Sequence, residues 1–218
     1  MKKLYLVILL IVLAAGLNGL RGSHLGKDKP ESVVGAFDYY LLSLSWSPTY
    51  CLTHSEDAQC SGKGYGFVLH GLWPQYAQGG WPQSCAPQQK LSRDERAQGL
   101  MVFATPKLLN HEWAKHGTCS GLGAAGYLTA ADRALAAVKI PDKLQPTGTS
   151  TYLSAQEIAQ QFRRSNPGIP ANGIAVICKG PELSEVRVCL SKDLAFATCG
   201  KGVKNQCRSG DIRLPPVR

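Results

Sequence analysis

Eight cysteines follow an apolar N-terminal segment, and this combination restricts the fold more than any other feature of the chain. The sequence begins Met-Lys-Lys and continues as an uninterrupted apolar run over residues 4–15. About twelve apolar residues are too few to cross a bilayer, which requires roughly twenty, and the pattern is typical of a cleaved secretory signal. We therefore predict a signal peptide at 1–20, export to the periplasm or beyond, and no membrane anchor after cleavage.

An even number of cysteines in an exported chain indicates disulfides. The cysteines all lie beyond the apolar segment, at Cys51, Cys60, Cys85, Cys119, Cys178, Cys189, Cys199 and Cys207. Four bridges allow about 105 connectivities, and the sequence alone does not choose among them. A structural zinc site usually shows close Cys-x-x-Cys pairs, and this sequence has none. We predict four disulfides and no metal ligand set.

Length and charge limit the domain count and the kind of partner. A chain of 218 residues fits one domain with a sizeable core, and 44% hydrophobic against 18% charged residues excludes a disordered or coiled-coil protein. The formal charge of +9 favours an acidic partner, either nucleic acid, an anionic glycan or a membrane surface. Charge does not distinguish these three.

Local patterns predict an α+β domain at 37–218 after a flexible lead-in at 21–36. Residues 37–46 alternate between two faces, which predicts a β-strand. Further strands are predicted at 65–69, 174–178, 186–190 and 194–199, with the last two forming a hairpin or meander. Ser-x-x-Glu capping boxes and related signals predict helices at 92–103, 107–116, 129–138 and 154–166.

One of these helices carries four polar side chains on the same face. At about 100° per residue, His111 and Lys115 lie about 40° apart, and so do Glu112 and His116. All four fall within an arc of about 140°, while Trp113 points to the other side. We predict that this helix buries Trp113 and presents two imidazoles, a carboxyl group and an ammonium group together.

The His-Glu pair at the start of this cluster does not fit a zinc protease. That motif places two histidines at i and i+4, so that both reach one metal ion. Here the second histidine follows at i+5, about 140° around the helix, and Lys115 adds a repelling positive charge. We therefore predict that no metal binds at this site.

Two imidazoles that exchange protons near neutral pH suit concerted acid–base catalysis. His70, in the segment Phe67-Val-Leu-His-Gly-Leu-Trp-Pro-Gln75, is the candidate partner for His116. Lys115 and His111 offer cationic donors for a phosphoryl oxygen. Glu112 can orient an imidazole or polarise a bound phosphate through its own proton.

The segments His-Gly-Leu-Trp-Pro at 70–74 and His-Glu-Trp-x-Lys-His-Gly-Thr-Cys at 111–119 resemble the two active-site signatures of the ribonuclease T2 family. Both match at every defining position. The resemblance extends over the first predicted strand and the Cys-rich C-terminal part, so it covers most of 37–207. The compact N-terminal signal favours the bacterial periplasmic ribonuclease I branch.

The resemblance implies a single α+β domain in which several helices surround a central antiparallel sheet. It also implies endoribonuclease activity without a cofactor. The ribose 2′-OH attacks the adjacent phosphorus, giving a 2′,3′-cyclic phosphate that is then hydrolysed to a 3′-phosphate. The need for a 2′-OH excludes DNA as a substrate. By resemblance, the catalytic residues are His70, Glu112 and His116, and the phosphate-binding residues are His111 and Lys115. Which histidine acts as the base in the first step stays open. We expect a monomer.

Candidates for stacking on a base are Trp73, Tyr76 and Trp81. The family often has Asp where Gln75 stands, so the resemblance does not imply a purine preference here. We expect broad base tolerance, because stacking does not discriminate strongly among bases. The resemblance further implies the disulfides Cys51–Cys60, Cys85–Cys119, Cys178–Cys207 and Cys189–Cys199. Two alternatives remain: a catalytically silent protein of the same fold that binds RNA or another anion, and a metal-dependent nuclease that a chelator inhibits.

Overall fold

An antiparallel sheet forms the centre of the computed structural model, which describes residues 32–87, 90–208 and 210–217. Within the described ranges the sheet has six strands: β1 (Tyr39–Trp46), β2 (Phe67–Gln75), β3 (Thr151–Ser154), β4 (Ile174–Lys179), β5 (Glu182–Leu190) and β6 (Asp211–Leu214). Strand β1 lies between β2 and β5. The order is β2-β1-β5, with β4 on the other edge of β5. Strands β3 and β6 pair with each other and join β5 through a single parallel pair.

Strand β1 confirms the predicted alternation of side chains. One face, which includes Tyr40, Leu42 and Leu44, is buried in the main hydrophobic core. On the opposite face, Ser43 is also fully buried, although it is polar. Because both faces of β1 are covered, one side of this strand contributes to the core and the other contributes to a polar site.

Five α-helices lie within the described residues, and the last three in chain order pack on the core face of the sheet. The five helices are α1 (Ser47–Cys51), α2 (Arg93–Leu100), α3 (Pro106–Lys115), α4 (Gly123–Ala137) and α5 (Ala155–Ser165). Leu109 of α3, Tyr127 of α4 and Phe162 of α5 are completely buried and belong to the same cluster as β1. Burying such apolar side chains is the main favourable term in folding, so this layer holds α3 against the sheet.

Both predicted capping boxes are present. The Ser92 hydroxyl accepts a hydrogen bond from the Glu95 backbone N–H at 3.2 Å, and the Glu95 carboxylate accepts one from the Ser92 N–H at 2.8 Å. Ser154 and Glu157 form the same arrangement at the start of α5. These reciprocal bonds satisfy N–H groups that lack an intrahelical partner.

The start of one predicted helix and the whole of one predicted strand were wrong. Helix α4 begins at Gly123, without a side-chain cap, and Thr129 lies inside it with its hydroxyl bonded to the Ala125 carbonyl. Residues 194–199 do not form a strand, because Leu194 has a positive φ and this segment is held to β5 by an isolated bridge and a disulfide. The hairpin is instead formed by β4 and β5.

Four disulfides are present, and their pairs are those that the resemblance implies: Cys51–Cys60, Cys85–Cys119, Cys178–Cys207 and Cys189–Cys199. In the part of the chain that the structure describes, no helix is both long and apolar enough to span a membrane. The predicted signal peptide and most of the predicted lead-in lie outside the described residues.

Candidate active site

A β-bulge in β2 points His70 toward the polar face of the sheet. Ser43 of β1 pairs with Gly71, but the next residue, Leu44, pairs with Leu69, so His70 is an extra residue in β2. In a regular strand His70 would share the core face with Leu72. A bulge changes the direction of the side chain at such a position, and bulges are common beside active sites.

Gly71 leaves space for the carboxyl group of Glu112. A Cβ at position 71 would collide with this carboxyl group and with the indole nitrogen of Trp73. The Trp73 N–H donates a hydrogen bond of 2.7 Å to one oxygen of Glu112. The other Glu112 oxygen is buried without a hydrogen-bond partner and lies 3.8 Å from Nε2 of His70.

The second segment lies on α3 and on the turn that follows it. Thr105 caps the helix, Pro106 is its first residue, and Glu112 and Trp113 are buried. His116 follows the last helical residue and donates its backbone N–H to the Glu112 carbonyl at 3.0 Å. The prediction that Trp113 belongs to the core is confirmed, and the end of α3 therefore presents Glu112 and His116 toward β2.

The disulfide Cys85–Cys119 ties the turn after His116 to the loop that follows β2. Replacing both cysteines with alanine should lower the free energy of unfolding by about 3–4 kcal/mol, since the bridge closes a loop of 34 residues. It should also lower kcat, because the turn bearing His116 loses its anchor. The matched control is the double alanine variant of Cys51–Cys60, whose 9-residue separation predicts a loss of about 2–3 kcal/mol.

Urea unfolding and kcat measured under folding conditions check this prediction. In the control variant kcat should fall less, since the loop closed by Cys51–Cys60 borders a neighbouring cleft through His54 and Asp57 but not the cleft that contains His116. An unchanged kcat in the folded Cys85/Cys119 variant would show that this bridge does not position His116.

The predicted residues meet in a cleft of about 370 Å³. Its lining includes His70, Trp73, Trp81, His111, Glu112, Lys115, His116 and Arg187. Trp81 is half exposed at 50%, so its ring is accessible to a ligand. Tyr76 does not line this cleft, and the structure does not bring it together with the other candidates. His70 and His111 also border a second cleft of about 380 Å³, which includes Tyr50, Asp57 and Leu108.

The ring of Trp73 contacts both candidate acid–base histidines. Its centroid is 5.0 Å from that of His70, which it meets edge to face, and 5.2 Å from that of His116, with an interplanar angle of 29°. The guanidinium carbon of Arg187 lies 5.2 Å from the Trp73 centroid. Trp73 therefore packs against both imidazoles and, through its N–H, also holds Glu112.

Glu185 of β5 forms the closest contact of His70, at 2.7 Å from Nδ1. Burial alone would lower the pKa of His70, but the hydrogen bond and charge of Glu185, together with the charge of Glu112, raise it. Burial would raise the pKa of Glu185, yet its bond to His70 and the nearby Arg187 lower that pKa to about 2. Glu185 is therefore an ionised carboxylate at neutral pH.

The pKa of His116 is shifted in the opposite direction to that of His70. His116 is 4% exposed, and burial, followed by the positive charges of Lys115, His111 and His70, lowers its pKa to about 3. Burial and Lys115 also lower the pKa of His111. His116 is thus neutral in the free protein near neutral pH and can accept a proton.

Burial also shifts the pKa of Glu112. Although His70, the Trp73 N–H and Lys115 oppose it, desolvation raises the pKa of Glu112 to about 7. A carboxyl group with this pKa is protonated in a large fraction of molecules at neutral pH, so it can donate a hydrogen bond. Lys115 is half buried and His111 is exposed, and both border the same cleft.

Glu185 and Arg187 were not predicted from the sequence to belong to this site. They stand two residues apart in β5, so they share a face, and that face is the one occupied by Ser43 of β1. Two charged residues alternating with apolar ones in a buried strand were the available signal.

The α+β fold and the cleft define a disulfide-bonded protein with two histidines, His70 and His116, at one face of a sheet. The Ribonuclease T2 family matches residues 37–199. The chain therefore belongs to the ribonuclease T2 family. A ribonuclease of Aeromonas hydrophila is 34% identical over 193 residues, covering 84% of this chain and 88% of that protein. A probable ribonuclease of Haemophilus influenzae is 32% identical over 164 residues, covering 68% and 56% respectively.

Solved structures agree with this assignment. An RNase-related protein from Calystegia sepium aligns with a TM-score of 0.68 at 26% identity, covering 84% of this chain and 98% of that one. RNase NT in complex with 5′-AMP aligns with a TM-score of 0.59 at 24% identity, covering 83% and 98%, and this likeness concerns the fold. The two bacterial relatives fit the predicted bacterial branch.

Proposed function

We propose that this protein is a metal-independent endoribonuclease that cleaves single-stranded RNA by transesterification, with low base specificity. The observation that carries the proposal is that His70 and His116 line one cleft with pKa values displaced in opposite directions. A concerted reaction at phosphorus requires one imidazole that holds a proton and one that is free to accept it. Because the pKa of His70 is raised and that of His116 is lowered, a protonated His70 and a neutral His116 are present at the same pH.

In the first step, neutral His116 takes the proton of the ribose 2′-OH, and the 2′-oxygen attacks the adjacent phosphorus. The bond from phosphorus to the 5′-oxygen breaks, and protonated His70 gives its proton to this leaving oxygen. The products are a 2′,3′-cyclic phosphate and a free 5′-OH. The negative phosphate of the substrate raises the pKa of both imidazoles, which makes His116 a stronger base in the complex.

In the second step the two histidines exchange roles. Neutral His70 takes a proton from water, which attacks the cyclic phosphate, and protonated His116 returns a proton to the 2′-oxygen. The product is a 3′-phosphate. Because the reaction needs a 2′-OH, DNA is not cleaved.

The remaining cleft residues stabilise charge that develops on the phosphoryl oxygens. Protonated Glu112 donates a hydrogen bond, Lys115 supplies a cationic donor, and the His111 imidazole donates a further hydrogen bond. Trp81 offers a half-exposed ring on which a base stacks, and stacking discriminates weakly among bases. The clefts on the two sides of His70 accommodate the nucleotides that flank the scissile phosphate.

The same proposal includes export to the periplasm or the exterior and a monomeric state. The support for export is the predicted signal peptide together with four disulfides, which persist in oxidising compartments.

Incubation with RNA and with DNA of matched sequence in excess EDTA tests the activity. We expect RNA to be cut to fragments with 2′,3′-cyclic phosphate ends, identified by mass spectrometry, and DNA to stay intact. Intact RNA would favour the silent binding protein. RNA cleavage that returns only when a divalent metal is added would indicate a metal-dependent nuclease.

A further inference from the structure

The side chain that bonds His70 is itself held by further contacts. Glu185 is 8% exposed, and one of its oxygens lies 2.7 Å from Nδ1 of His70. Its other oxygen accepts a hydrogen bond from the Ser43 hydroxyl at 3.1 Å and bonds from two nitrogens of Arg187 at 2.7 and 2.6 Å. The carboxylate is therefore fixed on two sides by groups that belong to β1 and β5.

These bonds determine which nitrogen of His70 carries a proton. An ionised carboxylate only accepts hydrogen bonds, so the Nδ1 atom that faces Glu185 must donate. A neutral imidazole has one N–H, and this leaves Nε2 of His70 with a free lone pair. Nε2 is on the side of Glu112, at 3.8 Å from its unpartnered oxygen.

We propose that Glu185 is a positioning residue for His70, and that Ser43 and Arg187 hold it in place. It fixes the imidazole with Nδ1 protonated, directs Nε2 into the cleft as the atom that exchanges protons with RNA, and stabilises the protonated ring. This inference rests on the proposed function, because it treats His70 as the first-step acid.

The position of His70 explains why such a partner is needed. The bulge turns His70 away from the core face, and its side chain is 34% exposed, so packing alone does not fix the ring. Glu185 reaches it from β5, across the intervening strand β1, where Glu185 is paired with Ser45. A carboxylate that orients an imidazole in this way serves the same purpose in Ser-His-Asp sites.

Several other charges surround the ring, and the effect of Glu185 must be separated from theirs. The titratable or charged groups that line the two clefts with His70 are Arg187 of β5, Lys107, His111, Glu112 and Lys115 of α3, His116 beyond its end, Lys201 and Lys204 of the first cleft, and Tyr50, His54, Asp57 and Lys179 of the second. Glu185 is the one in direct hydrogen-bond contact with Nδ1.

Glu185→Gln is the variant that tests the inference. Glutamine keeps the shape but removes the negative charge, so the protonated form of His70 loses its main stabilising partner, while Arg187 stays nearby and repels it. The pKa of His70 should fall, and the alkaline limb of the kcat/KM profile should move to lower pH. Above neutral pH, kcat should drop by about 10-fold or more, approaching the roughly 10²–10⁴-fold of a fully lost general acid as the pH rises, while KM changes little.

Glu182→Gln is the matched control. Glu182 lies on the same strand and forms a similar pair with Arg213, at 2.6 Å, but it does not border either cleft with His70. Removing the charge of Glu182 should leave the pH profile of kcat/KM unchanged. Glu185→Asp retains the charge on a shorter side chain, so its alkaline limb should lie between those of the unmodified protein and Glu185→Gln.

Nitrogen NMR of the unmodified protein gives a readout that needs neither a stable variant nor activity. Above its pKa, His70 should show the Nδ1–H form. Finding the Nε2–H form, or finding the alkaline limb unmoved in folded Glu185→Gln, would overturn the inference. If the unmodified protein does not cleave RNA, the proposed function fails, while the tautomer measurement still tests the contact with Glu185.

Discussion

Replacing His116 with alanine should lower kcat for RNA cleavage by about 10²–10⁴-fold, the usual contribution of a positioned acid–base group. His116 is the neutral base of the proposed first step, and its lowered pKa follows from burial beside positive charges. His70→Ala should cause a loss of the same order by removing the acid.

Cleavage of a dinucleotide by each variant, with circular dichroism as a check on folding, measures this effect. Binding of a 5′-mononucleotide should remain within the same order as in the unmodified protein, which separates lost chemistry from a lost site. Residues that act as a pair are strongly non-additive. The double variant should therefore be little slower than either single variant. Near-normal turnover in folded His116→Ala would remove this residue from the mechanism.

Much of the fold could be predicted because its signals are local. Alternation identified β1, and the Ser-x-x-Glu boxes located the starts of α2 and α5. The start of α4 was missed because no side chain caps it. The segment 194–199 was mistaken for a strand because its apolar composition does not reveal that Cys189–Cys199 closes it into a loop against β5.

The site could be predicted only in part. The helical arc correctly brought Glu112 and His116 to one side, and both line the cleft. The bulge at His70 has no local signature, since it depends on the register between β1 and β2. Glu185 lies 115 residues beyond His70, and their contact arises only when β1 places both neighbouring strands beside it. Tyr76 was included through sequence proximity to Trp73, but it does not line the cleft.

Gly71→Ala should nearly abolish activity while the protein stays folded. The added Cβ would occupy the space of the Glu112 carboxyl group and the Trp73 indole nitrogen, so either α3 or the Trp73 ring must move. A displacement of about 1 Å at a catalytic group can cost about 10²-fold in rate, and overpacking typically costs about 1–3 kcal/mol of stability. We expect kcat to fall by about 10²-fold and the melting temperature to fall moderately.

Gly148→Ala is the matched control, because a Cβ at Gly148 meets no atom within 4 Å and its φ is not positive. This variant should keep both kcat and melting temperature. The two variants add the same methyl group, so a difference between them reports on the contact with Glu112. Glu112→Ala in the Gly71→Ala background supplies the decisive comparison. If the clash acts through Glu112, the second change should cost little further activity, whereas a full additional loss would show that Gly71 affects the reaction by another route.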